Sequence, residues 1–199
     1  MCLNNWGGID HKVLEFHEYV NLFSGKSGSG KSTVMDAIQV ILYGSFSPSF
    51  LNKAADDAKN RRSVLSYLRG EQKDGSANRK DCDFCSVIAL EIEDTGTHII
   101  TCIGIAFEVR KSDSEIKKFV YFSHSGKMPE SEYLTEQGVC YSNQEIKKLV
   151  SARTKSDDNR GKGEVNRIYG SKEAYLGTLY DVILGYIDQN RFITMEKSA

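Results

Sequence analysis

Gly25-Lys26-Ser27-Gly28-Ser29-Gly30-Lys31-Ser32 decides how this chain is read. It fits the pattern G-x-x-x-x-G-K-[ST] at every fixed position, and each fixed residue has a physical task. Glycines let the backbone curl until successive N–H groups face one concavity able to surround phosphate oxygens. A helix starting near Lys31 adds its N-terminal dipole and its unpaired N–H groups. Lys31 sets a cation on the β- and γ-phosphates and is the residue assigned to catalysis. The Ser32 hydroxyl is the expected ligand to Mg²⁺, and Thr33 is placed to bond a phosphate nearer the sugar. The nucleotide-binding set is therefore Gly25, Lys26, Ser27, Gly28, Ser29, Gly30, Lys31, Ser32 and Thr33, with ATP and Mg²⁺ as the expected cofactors.

Such a loop should leave a buried strand and enter a helix. Lys12–Phe16 alternates and reads as a strand, and Val20–Phe23 reads as a second short strand feeding the loop. Beyond the loop, Lys31 to Tyr43 is expected to be helical. Val34, Met35, Ala37, Ile38, Val40, Ile41 and Leu42 cover most of its circumference, which predicts a helix inside a core; Gly44 is well placed to end it. Asp56–Leu68 is polar, then helical, and Glu71–Asp81 reads as a flexible connection. Phe84–Ile92, His98–Val109 and Lys118–Ser123 predict an antiparallel meander. Gln144–Val150 reads as a short helix capped by Ser142 or Asn143, Thr154–Glu164 as disordered, and Lys172–Tyr186 as a further helix. The expected fold is α/β, a mostly parallel core carrying the loop with an antiparallel sheet beside it.

The 199 residues suffice for one domain or one lobe of a larger one, and 40% hydrophobic with 27% charged residues is ordinary for a globular chain. A formal net charge of −1 supplies no global basic field, so any DNA contact would need a local patch. Lys53, Lys59, Arg61 and Arg62 are candidates for one, although Asp56 and Asp57 dilute the charge and a solvated surface is the simpler reading. No apolar run approaches the roughly 20 residues that span a bilayer, and Met1–Trp6 does not resemble a secretory signal. The expectation is a cytoplasmic protein with no membrane partner. Five unevenly spaced cysteines suit reduced thiols. Cys82 and Cys85 have C-x-x-C spacing, but Cys102, Cys140, His98 and His124 are scattered, and the pair reads as incidental rather than as a zinc site.

Hydrolysis needs an acid at the end of an apolar strand to hold Mg²⁺ and polarise water. The only near match, Ile88-Ala89-Leu90-Glu91-Ile92-Glu93-Asp94, reads more simply as a half-exposed strand. No Leu-Ser-Gly-Gly sequence occurs. The residues thus hold a nucleotide-gripping element without a recognisable hydrolytic one.

The loop together with its flanks resembles the N-terminal half of an ATPase head of the SMC type, the superfamily that includes MukB, SbcC and the SMC-like subunit JetC of Wadjet plasmid-defence systems. The likeness rests on Asn5-Trp6-Gly7-Gly8-Ile9-Asp10-His11-Lys12, Asn21-Leu22-Phe23-Ser24-Gly25, Ser32-Thr33-Val34-Met35-Asp36-Ala37-Ile38-Gln39, Asn52-Lys53-Ala54-Ala55 and Ser66-Tyr67-Leu68-Arg69-Gly70. It is strong over residues 4–70, moderate to about Asp94 and weak beyond. It implies that residues 1–199 are the N-terminal lobe of a split ABC-type head, with a mixed sheet and adjoining antiparallel strands. A coiled coil, the Walker B acid and the signature motif would belong to sequence outside this chain. It also implies a second head that sandwiches the nucleotide as a homodimer, DNA and accessory subunits as partners, and a late glutamine touching Mg²⁺ and water. Gln189 is the candidate for that glutamine and Gln144 a weaker one, although a polar helix exit accounts for Gln189 more plainly. Two other readings stand beside this one: a self-contained P-loop phosphotransferase, and a non-catalytic nucleotide-binding module.

Overall fold

The computed structural model describes residues 1–26, 28–48, 51, 63–72, 75–156 and 165–180. Its frame is a six-stranded sheet in the order β2-β1-β3-β4-β5-β6. The strands are β1 (Cys2–Trp6), β2 (Ile9–Val13), β3 (Phe84–Glu93), β4 (Ile100–Val109), β5 (Lys118–Ser125) and β6 (Arg167–Tyr169). The meander expected from residues 84 to 123 is its centre, with Ile88 opposite Ile105, Leu90 opposite Ile103 and Ala106 opposite Val120.

These central strands are apolar on both faces because both faces are covered. Successive side chains alternate between two cores. Ile88 and Leu90 of β3, with Ile103, Ile105, Phe107 and Val109 of β4, face one core; Val87, Ala89 and Ala106 face the other. The first core is closed by α1 (Lys31–Tyr43), α2 (Val64–Arg69) and α4 (Lys172–Thr178) through Val34, Ala37, Val40, Ile41, Leu65, Leu68 and Tyr175. The second is closed by α3 (Asn143–Ser156) and the chain before it, through Tyr133, Cys140, Ile146 and Val150. Gly104 has no room for a side chain: a β-carbon there would stand 2.6 Å from Ile88 O and 2.7 Å from Phe122 Cζ.

Strand β1 breaks the alternation in a way that matters for the site. Asn5 has φ +56°, a left-handed conformation that Asn tolerates better than most residues. Its amide Nδ2 donates to Cys85 O at 2.7 Å. With the pleat inverted there, Leu3 and Trp6, an odd number of residues apart, both enter the first core.

Helix α1 is anchored at its C-terminus as well. Gly44 ends it at φ +56°, and three phenols satisfy carbonyls that the helix leaves open. Tyr175 Oη donates to Ile41 O (2.9 Å), Tyr180 Oη to Leu42 O (3.1 Å) and Tyr121 Oη to Gly44 O (2.6 Å).

The α/β class holds, but all strand pairings among the described residues are antiparallel, so the expected parallel core has no counterpart there. The first strands lie earlier than the alternation of Lys12–Phe16 suggested, as a hairpin of β1 and β2. Val20–Phe23 is not a strand: Val20 and Leu22 are 77% and 88% exposed, and the segment makes no ladder. Helix α1 spans the expected residues but is not buried all round, since Met35 is 44% exposed while the acid Asp36 is buried. Helix α3 runs on to Ser156, so Thr154–Ser156 is helical. Ser142 caps it as expected: Ser142 Oγ accepts from Glu145 N, and the Glu145 carboxylate accepts from Ser142 N, a reciprocal capping box. Glu71 bridges to Ala77, and Arg79 is buried, so the stretch read as a flexible connection has fixed points. Residues 157–164 and 181–186, read as disorder and as the end of a helix, lie outside the described residues.

Candidate nucleotide-binding site

The loop from Gly25 to Gly30 closes directly onto the N-terminus of α1. Gly28 and Gly30 have φ +83° and +88°, a region where an L side chain is strained. Ser29 N donates to Lys26 O at 3.2 Å to make the turn, and Val34 N donates to Gly30 O at 3.1 Å as the helix begins. At Gly25, with φ +156°, a β-carbon would lie 2.6 Å from Ser29 Oγ, so any other residue there would need the Ser29 side chain to move. No side chain caps α1, and its first turn contains no acid. The leading amides and the positive end of the helix dipole therefore face the loop without a competing carboxylate, which is the arrangement that receives an anion.

Lys31 reaches back across this turn. Its Nζ donates to Gly25 O (2.6 Å), Lys26 O (3.0 Å) and Ser29 Oγ (3.3 Å). One ammonium with three donors thus ties both ends of the loop together and stands over the hollow. The structure brings Gly25, Lys26, Gly28, Ser29, Gly30 and Lys31 into one turn, with Ser32 and Thr33 on the first turn of α1. Ser32 is exposed and free to offer its hydroxyl outward. Ser27 lies outside the described residues.

These residues fit a polyphosphate tail. Mg²⁺ usually keeps several waters and binds substrate phosphates plus one or two protein oxygens, and the exposed Ser32 hydroxyl would be the one to offer such an oxygen here. The acids of Ile88–Asp94 do not supply another. In the register of β1 on β3, Asn4 faces Val87 and Cys2 faces Ala89, so Glu91 and Glu93 lie past the Met1 end of β1. Helix α1 begins at the other end, where Trp6 touches Thr33. Six residues of strand separate the two, about 20 Å. Glu91 and Glu93 are exposed, and Glu91 accepts from Met128 N at 2.7 Å. The segment is a strand, but not a half-exposed one: Ile88, Ala89 and Leu90 are buried on both faces of the sheet, and exposure begins at Glu91 where the strand runs out of cover.

The other candidates separate from the loop. Gln144 is exposed on α3, which packs on the opposite face of the sheet from α1. Gln189 and the basic residues Lys53, Lys59, Arg61 and Arg62 lie outside the described residues. Cys82 is exposed and Cys85 half-buried, and burial pushes the Cys85 thiol up to about 11, away from the thiolate a metal would need. Among the described residues no group of three or more His, Cys, Asp or Glu side chains is placed to hold a metal. Trp6 is fully buried and offers no face on which an adenine could stack.

Residues 1–58 match the family model described as the P-loop containing region of AAA domain. This stretch is a P-loop nucleotide-binding region. None of the curated proteins compared with the chain matches it. No helix among the described residues is long and apolar enough to cross a membrane.

Sequence reading missed the residues that hold the P-loop helix from behind. The buried acid Asp36 lies one turn after Ser32 and accepts from Tyr67 Oη of α2. Its signal was present, since it is the one charged side chain among the apolar positions of α1.

Proposed function

We propose that this chain is the N-terminal, ATP-binding half of an SMC-type head, a DNA-associated ATPase that holds Mg·ATP at Gly25–Thr33. The observation that carries the nucleotide part is the placement of Lys31. Its two short bonds to Gly25 O and Lys26 O fix the ammonium over the loop, while the third, to Ser29 Oγ, is the longest. A phosphate oxygen that replaces Ser29 Oγ gains a charge-assisted bond and leaves the other two intact. The head part is supported by the sequence around the loop, from Asn5-Trp6-Gly7-Gly8 to Ser66-Tyr67-Leu68-Arg69-Gly70. The distance of Glu91 and Glu93, the acids of β3, from Lys31 agrees with a reading in which the hydrolytic acid comes from a C-terminal half. In that reading a second head completes the site, and DNA and accessory subunits are partners of the assembled protein.

Titration calorimetry with Mg·ATP tests the first part, with binding to the 199-residue chain and its loss in Lys31→Ala as the expected result. Turnover tests the second. Negligible hydrolysis by this chain alone and recovery on adding a C-terminal half are expected. Robust hydrolysis without that half, or phosphate transfer to a small acceptor, would sink the split-head reading in favour of a self-contained phosphotransferase. Binding that never leads to turnover with the half present would make the chain a nucleotide-binding module only.

A further inference from the structure

We infer that Trp6, Gly7 and Tyr67 form a brace that positions Thr33 in the first turn of α1, and so couples the phosphate loop to the β1–β2 turn and to α2. The inference deepens the nucleotide-binding reading above and rests on it. Two contacts converge on Thr33 from one hairpin. The indole Nε1 of Trp6 donates to Thr33 O at 2.8 Å, and Gly7 lies so close that a β-carbon would stand 2.5 Å from Thr33 Cγ2. A threonine has few χ1 wells, and holding its methyl against Gly7 leaves a single place for its hydroxyl. The hairpin therefore sets both the backbone and the hydroxyl of a residue expected to meet a phosphate.

The hairpin is itself held by α2. Tyr67 stacks on Trp6 with ring centroids 5.2 Å apart and 10° between planes. Gly7 N donates to Tyr67 O at 2.8 Å, and Tyr67 Oη donates to Asp36 of α1, which brings the brace back to the helix it supports. Arg79 closes the outer side: Nη2 donates to Gly7 O, Nε to Leu68 O at 2.9 Å and Nη1 to Asp10 at 2.7 Å. Burial of so many polar groups is stable because each finds a partner. These contacts leave little room for the first turn of α1 to move without the hairpin and α2. Trp6, Gly7 and Tyr67 are positioning residues, since none of them lies in the loop that faces the ligand.

Trp6→Phe removes the indole donor and keeps an aromatic ring on Tyr67; Gly7→Ala adds the clashing methyl. Both are measured in the whole chain for Mg·ATP affinity, melting temperature, and hydrogen exchange at the amides of Val34–Ala37 without ligand. Trp6→Phe is expected to weaken Mg·ATP about tenfold, the scale of one lost hydrogen bond, at temperatures where circular dichroism shows the fold intact. Exchange at Val34–Ala37 is expected to rise by a similar factor, beyond what the change in melting temperature accounts for. Tyr67→Phe, which retains the ring on Trp6 but removes the hydroxyl that meets buried Asp36, should show a change at least as large as Trp6→Phe. In the wild-type chain, binding should alter the emission of Trp6, the single tryptophan. Affinity and local exchange that merely follow global stability would overturn the brace. If the wild-type chain binds no Mg·ATP, the nucleotide reading fails by itself, and the exchange comparison still decides whether the brace exists.

Discussion

Residues 84–125 and residues 14–23 are both rich in apolar side chains, and they take opposite forms. In the first, each strand finds a hydrogen-bonded neighbour, and the faces are buried by helices on one side and by α3 on the other. In the second, Tyr19, Val20 and Leu22 stand in solvent. Its ends are held by the fold, Leu14 and Phe23 packing against the first core, but between them the shape comes from local contacts. His17 and Asn21 exchange a pair of bonds at 2.7 Å, and Phe16 meets Phe23 edge-on at 6.1 Å between centroids. The lesson is that apolar content makes a strand only where a ladder partner and a cover are supplied. The ligand-gripping turn sits at the end of the less supported stretch, so stability and binding should respond to different residues.

The largest expected effect lies in the sheet. Phe107→Ala empties a fully buried site in the first core and should cost about 3–5 kcal/mol by chemical denaturation, with Mg·ATP affinity of the remaining folded protein unchanged. A loss of affinity at intact fold would break the separation.

Next is a pH effect confined to the second core. His124 is buried, and burial lowers its imidazole from 6.5 to about 4. As pH falls from about 6.5 to about 4, the unfolded chain takes up a proton that the folded chain refuses. Stability should therefore decline through that window, by up to about 3 kcal/mol, and His124→Asn should flatten the decline. Denaturation midpoints at pH 7 and pH 4.5 measure it, and an equally steep decline in the variant would assign it to other groups.

Lys31→Ala reverses the pattern, with affinity for Mg·ATP down by about a hundredfold, the upper scale of one charge-assisted bond. The melting temperature should scarcely move. The smallest effect is Leu22→Ser: an exposed side chain without a core should change stability by less than about 0.5 kcal/mol. A larger loss in denaturant would show that the stretch is more supported than its exposure indicates.

The same division explains what could be read from sequence. The meander, α1 with its terminal Gly44, and the capping box at Ser142 were legible because each rests on local periodicity or a local bond. The loop was legible because its glycines and Lys31 act within eight residues of one another. Val20–Phe23 differs from its reading as a strand because a short apolar run says nothing about whether a neighbouring strand exists. β1 was missed because Asn5 inverts its pleat, so that Leu3 and Trp6 do not follow a period of two. Trp6, Tyr67, Asp36 and Arg79 are joined across dozens of residues, and no spacing rule links them. Only the fold brings them behind Thr33.

The three tyrosines at the far end of α1 carry a consequence of their own. A phenol fastens a carbonyl only while it keeps its proton, and burial protects that proton here, pushing Tyr121 up to about 12 and Tyr175 well above its ordinary value. The rear mooring of the rod that begins at the phosphate loop is thus indifferent to any pH a cell experiences. Whatever shifts with acidity in this molecule must do so elsewhere, with that anchor as the fixed point.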